Sequence, residues 1–231
     1  MAGGTGARRK VRQLLAAEDF AASLRELKSL PPEQTLKYLQ AGLPAAQPLL
    51  KWRAVTALGQ VVQGLAAHDL EAAREFLRRL LWCLNEESGA VPWGVAEALG
   101  EILANSPELA QEYASLQVSC IWPQGNFIQF GPLLAGAVWG VGRLASAHPE
   151  LAHGCCALER LVHLLDWEDA LVRGTAAWAL GNLRDQEAVQ YLEKLVQDQS
   201  PLEIWDLDSL RQTTVSQLAR EAINKIVKTE E

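Results

Sequence analysis

One ten-residue pattern recurs along this 231-residue chain at a spacing near forty, and no other feature constrains the fold as much. It reads W-R-A-V-T-A-L-G-Q-V from Trp52, W-G-V-A-E-A-L-G-E-I from Trp93, A-G-A-V-W-G-V-G-R-L from Ala135 and G-T-A-A-W-A-L-G-N-L from Gly174. Its eighth position is glycine at 59, 100, 142 and 181, and a degenerate fifth copy from Gln217 places Asn224 there. Counting from that glycine as zero, positions −5, −4, −2, −1 and +2 are apolar or small in nearly every copy. At about 100° per residue they fill one arc, the buried face of a helix.

A second helical segment precedes each later copy, over 68–84, 107–121, 149–165 and 185–197. Ser106-Pro107, with Glu108 in the first turn, is one of the helix-start signals among them. The unit is therefore helix A, a turn, helix B with the glycine motif, and a return turn. Neither helix can bury its apolar face alone, so consecutive pairs must stack. A glycine costs about 1 kcal/mol in a helix interior, which close approach of the neighbouring pair would explain. The expected organisation is a disordered tail over 1–6, an N-terminal helical cap over 7–30, the repeat array over 31–228 and a polar tail over 229–231. The fold class is all-α, an α-α superhelix of about five helix pairs.

The motif V-R-G-T-A-A-W-A-L-G-N-L at 172–183, followed by D-Q-E-A-V-Q-Y-L-E-K-L-V, resembles HEAT repeats, especially the HEAT-like repeats named after phycobilisome lyases. The resemblance covers roughly residues 31–228. It implies a solenoid whose B helices line the concave side. It leaves function open, because proteins of this kind include interaction scaffolds, lyase-type chaperones handling a tetrapyrrole-type cofactor, and a few enzymes.

Positions −7, −3 and +1 of helix B lie within about 80° of one another, off the core arc. There stand Trp52, Thr56 and Gln60; Trp93, Glu97 and Glu101; Ala135, Trp139 and Arg143; Gly174, Trp178 and Asn182; then Gln217, Glu221 and Lys225. Four Trp in phase with polar residues admit two readings. Each could fill the boundary between core and surface, as large aromatics do, or together they could form a docking groove, since Trp is enriched where partners bind. On the second reading the groove residues are Trp52, Trp93, Glu97, Glu101, Trp139, Arg143, Trp178 and Asn182. The polar turn Asn85, Glu86 and Glu87 lies beside them, and Arg143 is placed to pair with Glu97 or Glu101. The other four Trp, at 82, 122, 167 and 205, lie 14 to 20 residues before their copy's glycine or Asn224. All eight Trp follow the repeat.

Charge narrows the partner. The net charge is −7, and between Arg79 and Arg143 there is no Lys or Arg while Glu86, Glu87, Glu97, Glu101, Glu108 and Glu112 stand there. That argues against nucleic acid, whose phosphates need clustered cations. It also counts against the HEAT-like DNA glycosylases, which use aromatic and acidic residues in a concave groove. The expected partner is a protein segment with basic or apolar anchors. No membrane is involved, because the uncharged run from Tyr113 to Gly142 is broken by Pro123, Gln124, Gly125 and Asn126.

The basic start is followed by no apolar stretch of signal-peptide character, and Ala2 excludes myristoylation, so export is not expected. Four Cys without framework spacing fit a reducing cytoplasm. Gly136 to Gly142 is glycine-rich but is the helical motif, without the strand that precedes a dinucleotide loop. None of His68, His148, His153 and His163 is followed by Glu as in HEAT-type iron hydroxylases. His153 and Cys156 share a face without convergent partners, so no metal, no cofactor and no catalytic residue is expected.

Overall fold

The computed structural model describes residues 2–84, 92–206 and 209–228. The chain divides into two compact units, residues 1–106 and 107–231.

In the first unit, α1 (Ala2–Ala16) and α2 (Phe20–Ser29) form the cap. Asp19 ends the link between them by accepting the Ala22 N–H at 2.8 Å, the usual N-cap bond. The tail expected over 1–6 is helical from Ala2, since a helix nucleated by the amphipathic turns after Ala7 extends at small cost per residue. The first pair is α3 (Pro32–Gln40) and α4 (Pro48–His68), each with Pro in its first turn. The second is α5 (Leu70–Leu84) and α6 (Val95–Asn105). Arg53 of α4 donates to Leu15 O and Ala17 O at 2.8 and 2.7 Å, closing the C-terminus of α1.

In the second unit, α7 (Pro107–Ser119) pairs with α8 (Gly131–Ala147). The helix expected over 149–165 is broken into α9 (Pro149–Gly154) and α10 (Ala157–His163), because Cys156 takes a left-handed backbone at φ 57. After α11 (Ala170–Leu183) the segment 185–197 is two 3₁₀ turns flanking the single turn α12 (Val189–Leu192). An antiparallel hairpin follows, β1 (Pro201–Asp206) with β2 (Ser209–Thr214), where the sequence reading has a turn. The chain ends in α13 (Val215–Val227).

The five apolar repeat positions are buried in all four glycine copies, from Ala54, Val55, Ala57, Leu58 and Val61 to Ala176, Ala177, Ala179, Leu180 and Leu183. The fifth copy is weaker, with Arg220 exposed where the others are apolar. The glycines serve close helix approach. A Cβ on Gly59 would lie 2.7 Å from Glu101 Cγ of α6, one on Gly142 2.3 Å from the Trp178 ring of α11, and one on Gly181 2.8 Å from Ala222 of α13.

Candidate functional site

The B-helix stripe of the first unit is a polar line between two tryptophans. Trp52 is half-buried in α4, with the Lys51 ammonium 4.8 Å from its ring centroid. Trp93 lies in the turn before α6 rather than on the helix, because Gly94 turns left-handed at φ 74 and the helix starts at Val95. It is 37% exposed. Both carboxylates on α6 are buried, Glu97 at 2% and Glu101 at 5% exposure, which corrects the expectation of open groove residues. The reason is helix spacing: a glycine at the motif position draws α4 onto Glu101, and Lys51 reaches across to Glu97.

Lys51 Nζ donates to Glu97 Oε1 at 2.5 Å, and the lysine side chain is 22% exposed. Glu97 Oε2 is buried and finds no hydrogen-bond partner among the described residues. Along the same stripe Lys28 donates to Gln60 Oε1 at 3.1 Å, Gln60 donates to Asn105 Oδ1 at 2.7 Å, and Asn105 donates to Glu101 Oε1 at 3.0 Å. Lys28, Lys51 and Asn105 lie outside the motif positions, so the repeat alone does not point to them. The turn residues Asn85, Glu86 and Glu87 lie outside the described residues.

In the second unit the hairpin covers the stripe. Trp139 is in the core at 2% exposure, its Nε1–H donating to Trp205 O at 3.0 Å, and its ring stacks on the half-buried Trp178 at 6.0 Å and 5°. This overturns the expectation that Trp139 lines an open groove: Trp205 and Leu202 of β1 lie over it and over Gly174, whose Cβ position is 2.8 Å from Leu202 Cδ1. Asn182 is also buried, with Oδ1 accepting from Lys225 Nζ at 2.5 Å. Burial holds that lysine below its ordinary range, the Arg184 guanidinium adds to the effect, and Asp206 opposes it. Arg143 is half-buried and donates to Ser146 Oγ at 2.7 Å. Arg211 of β2 pairs with both oxygens of Glu221, the −3 residue of α13, at 2.8 Å each. That fork raises the arginine and lowers the carboxyl from their ordinary values.

Among the described residues no three His, Cys, Asp or Glu side chains converge as metal ligands, and His153 faces Asp185 at 3.5 Å instead. Burial pushes the Cys120 thiol up to about 11. Among the described residues no helix is long and apolar enough to cross a membrane.

Stacked A/B helix pairs joined through a glycine-bearing B face define a helical-repeat protein. Residues 132–206 match the family model for HEAT repeats. An uncharacterized protein of Archaeoglobus fulgidus is 33% identical over 95 residues, which is 41% of this chain and 46% of that protein, so the match spans less than half of the relative. Among solved structures, an engineered protein aligns over 96% of this chain and 97% of its own, with TM-score 0.52 and 19% identity. A designed armadillo repeat protein aligns over 95% and 99%, with TM-score 0.47 and 20% identity. Residues 132–206 are thus similar to HEAT repeats, and the chain has an all-α solenoid fold.

Proposed function

We infer that the protein is a non-catalytic interaction scaffold or assembly factor, and that a partner segment docks on the α4–α6 stripe of the first unit. The observation that carries this reading is Glu97: a carboxylate nine-tenths buried, neutralised on one oxygen by Lys51 and orphaned on the other, four residues from a part-exposed Trp93. An unmet buried acceptor is costly, of the order of 1–3 kcal/mol, and its site is completed by a donor brought from outside. A basic or amide-bearing side chain supplies that donor, and Trp52 and Trp93 supply apolar anchors of the kind that dominate interfaces. In the second unit the hairpin covers Trp139.

The test is a peptide-display selection on the intact chain. Enriched segments should carry Arg or Lys flanked by apolar residues. Binding of the enriched peptides should fall at least tenfold in Trp93→Ala and in Glu97→Gln, with each variant's helical content unchanged by circular dichroism. Failure to enrich any such pattern, or binding indifferent to both substitutions, sinks the assignment.

A further inference from the structure

A cavity of about 410 Å³ lies in the first unit between α1, the turn after α3 and the start of α4. Its floor is apolar: Val11 and Leu15 of α1 are buried there, and Leu50 and Ala45 close it from the other side. At its rim stand Arg8 and Arg12, one helical turn apart on α1 and therefore on the same face. Among the described residues no Asp or Glu lines the cavity. Neither arginine makes an ion pair or hydrogen bond with any described residue, whereas Lys10 on the same helix pairs with Glu26 and Arg53 is spent on the end of α1.

Two guanidiniums without a counter-ion among the described residues, beside an apolar hollow, have a defined complement. One acid group is needed between them, because a guanidinium pair binds a carboxylate or phosphate through charge-assisted hydrogen bonds. An uncharged apolar body is needed below it, because the floor offers dispersion and burial. The volume falls in the range of small-molecule sites, which are apolar pockets oriented by a few polar groups. We propose that this cavity binds a small amphipathic anion, a compact apolar body bearing a single acid group, with Arg8 and Arg12 gripping the acid. The site is separate from the α4–α6 stripe and does not depend on the docking assignment made there.

The experiment uses the full chain and displacement of 8-anilinonaphthalene-1-sulfonate, itself an apolar body with one acid group. Octanoate should displace the dye, while octan-1-ol and acetate should each need at least tenfold higher concentration, the first lacking the charge and the second the body. Arg8→Gln with Arg12→Gln should weaken octanoate at least tenfold; both side chains are exposed, so the fold has no stake in them. Ala46→Phe, at the exposed rim, should block octanoate with both arginines intact. Equal displacement by octan-1-ol, or octanoate affinity unchanged in the double arginine variant or in Ala46→Phe, overturns the proposal.

Discussion

Gly142→Ala isolates the role of the repeat glycine. The new methyl carbon would sit 2.3 Å from Trp178 Cζ3, 2.8 Å from its Cε3 and 3.0 Å from Ala179 Cβ. The indole has little room to retreat, because it stacks flat on Trp139, which is itself tied through Nε1 to Trp205 O. Overpacking of this kind costs about 1–3 kcal/mol, and disturbing the aromatic pair adds about 0.5–1.5 kcal/mol. Replacing a helical glycine with alanine returns about 1 kcal/mol. The net expectation is a destabilisation of about 2 kcal/mol, or a fall in Tm of about 4–8 °C for a chain of this size. Gly64→Ala is the control, since its Cβ would meet nothing within 4 Å and only the helix-propensity gain of up to about 1 kcal/mol remains. Urea unfolding followed by Trp fluorescence measures both. Combining Gly142→Ala with Trp178→Leu should cost less than the sum of the two by more than about 0.5 kcal/mol, because the clash partner is gone. Equal stability of the Gly142 and Gly64 variants, or strict additivity with Trp178→Leu, refutes the close-approach account.

Two further outcomes follow from the ionisable groups. Cys120, with its thiol near 11 and buried, should resist a thiol reagent at pH 8 while exposed Cys156 reacts; labelling identified by mass spectrometry checks the order, and prior reaction at Cys120 contradicts the burial. Glu221 is lowered chiefly by its hydrogen bonds from Arg211, so the pair stabilises the fold above the unfolded carboxyl's pKa of about 4.3 and that share is lost as pH falls through the lower folded value. Its side chain is 44% exposed, so the contribution is under about 1 kcal/mol. Thermal unfolding from pH 6 to pH 3 should show a shallower acid-side fall in Glu221→Gln than in the native chain, and identical slopes would remove the pair from the acid response.

The buried face was legible because it rests on a local rule. Position in a 3.6-residue turn decides which side chains point inward, and one arc repeated at 54–61 and 176–183 suffices to place them. Exposure of the stripe was not legible, because it depends on what arrives from elsewhere in the chain. Nothing near Trp139 announces that Trp205, 66 residues later, will cover it. The hairpin left a faint local signal in the alternation Leu202, Glu203, Ile204 and the paired Thr213-Thr214, short enough to pass for a turn. The break between α9 and α10 was hidden for a related reason: it turns on a left-handed backbone at Cys156, for which cysteine has no intrinsic preference.

The hairpin also shows what a B-helix stripe in this chain can accept. Leu202 packs against Gly174 at −7, a strand carbonyl takes the indole N–H of Trp139, and an arginine forks onto Glu221. Apolar residue, backbone acceptor and guanidinium are each supplied by extended chain, and each meets a stripe residue at −7 or −3. In the first unit the corresponding residues are Trp52, Thr56, Trp93 and Glu97, and no hairpin follows α4 or α6 among the described residues. The orphaned Glu97 oxygen stands at the same −3 position that Glu221 fills by binding arginine. Chemical equivalence of the two positions is the strongest physical reason to expect a basic side chain at Glu97. It also explains why Lys51, a single-point donor that satisfies only one oxygen, leaves that acceptor half used.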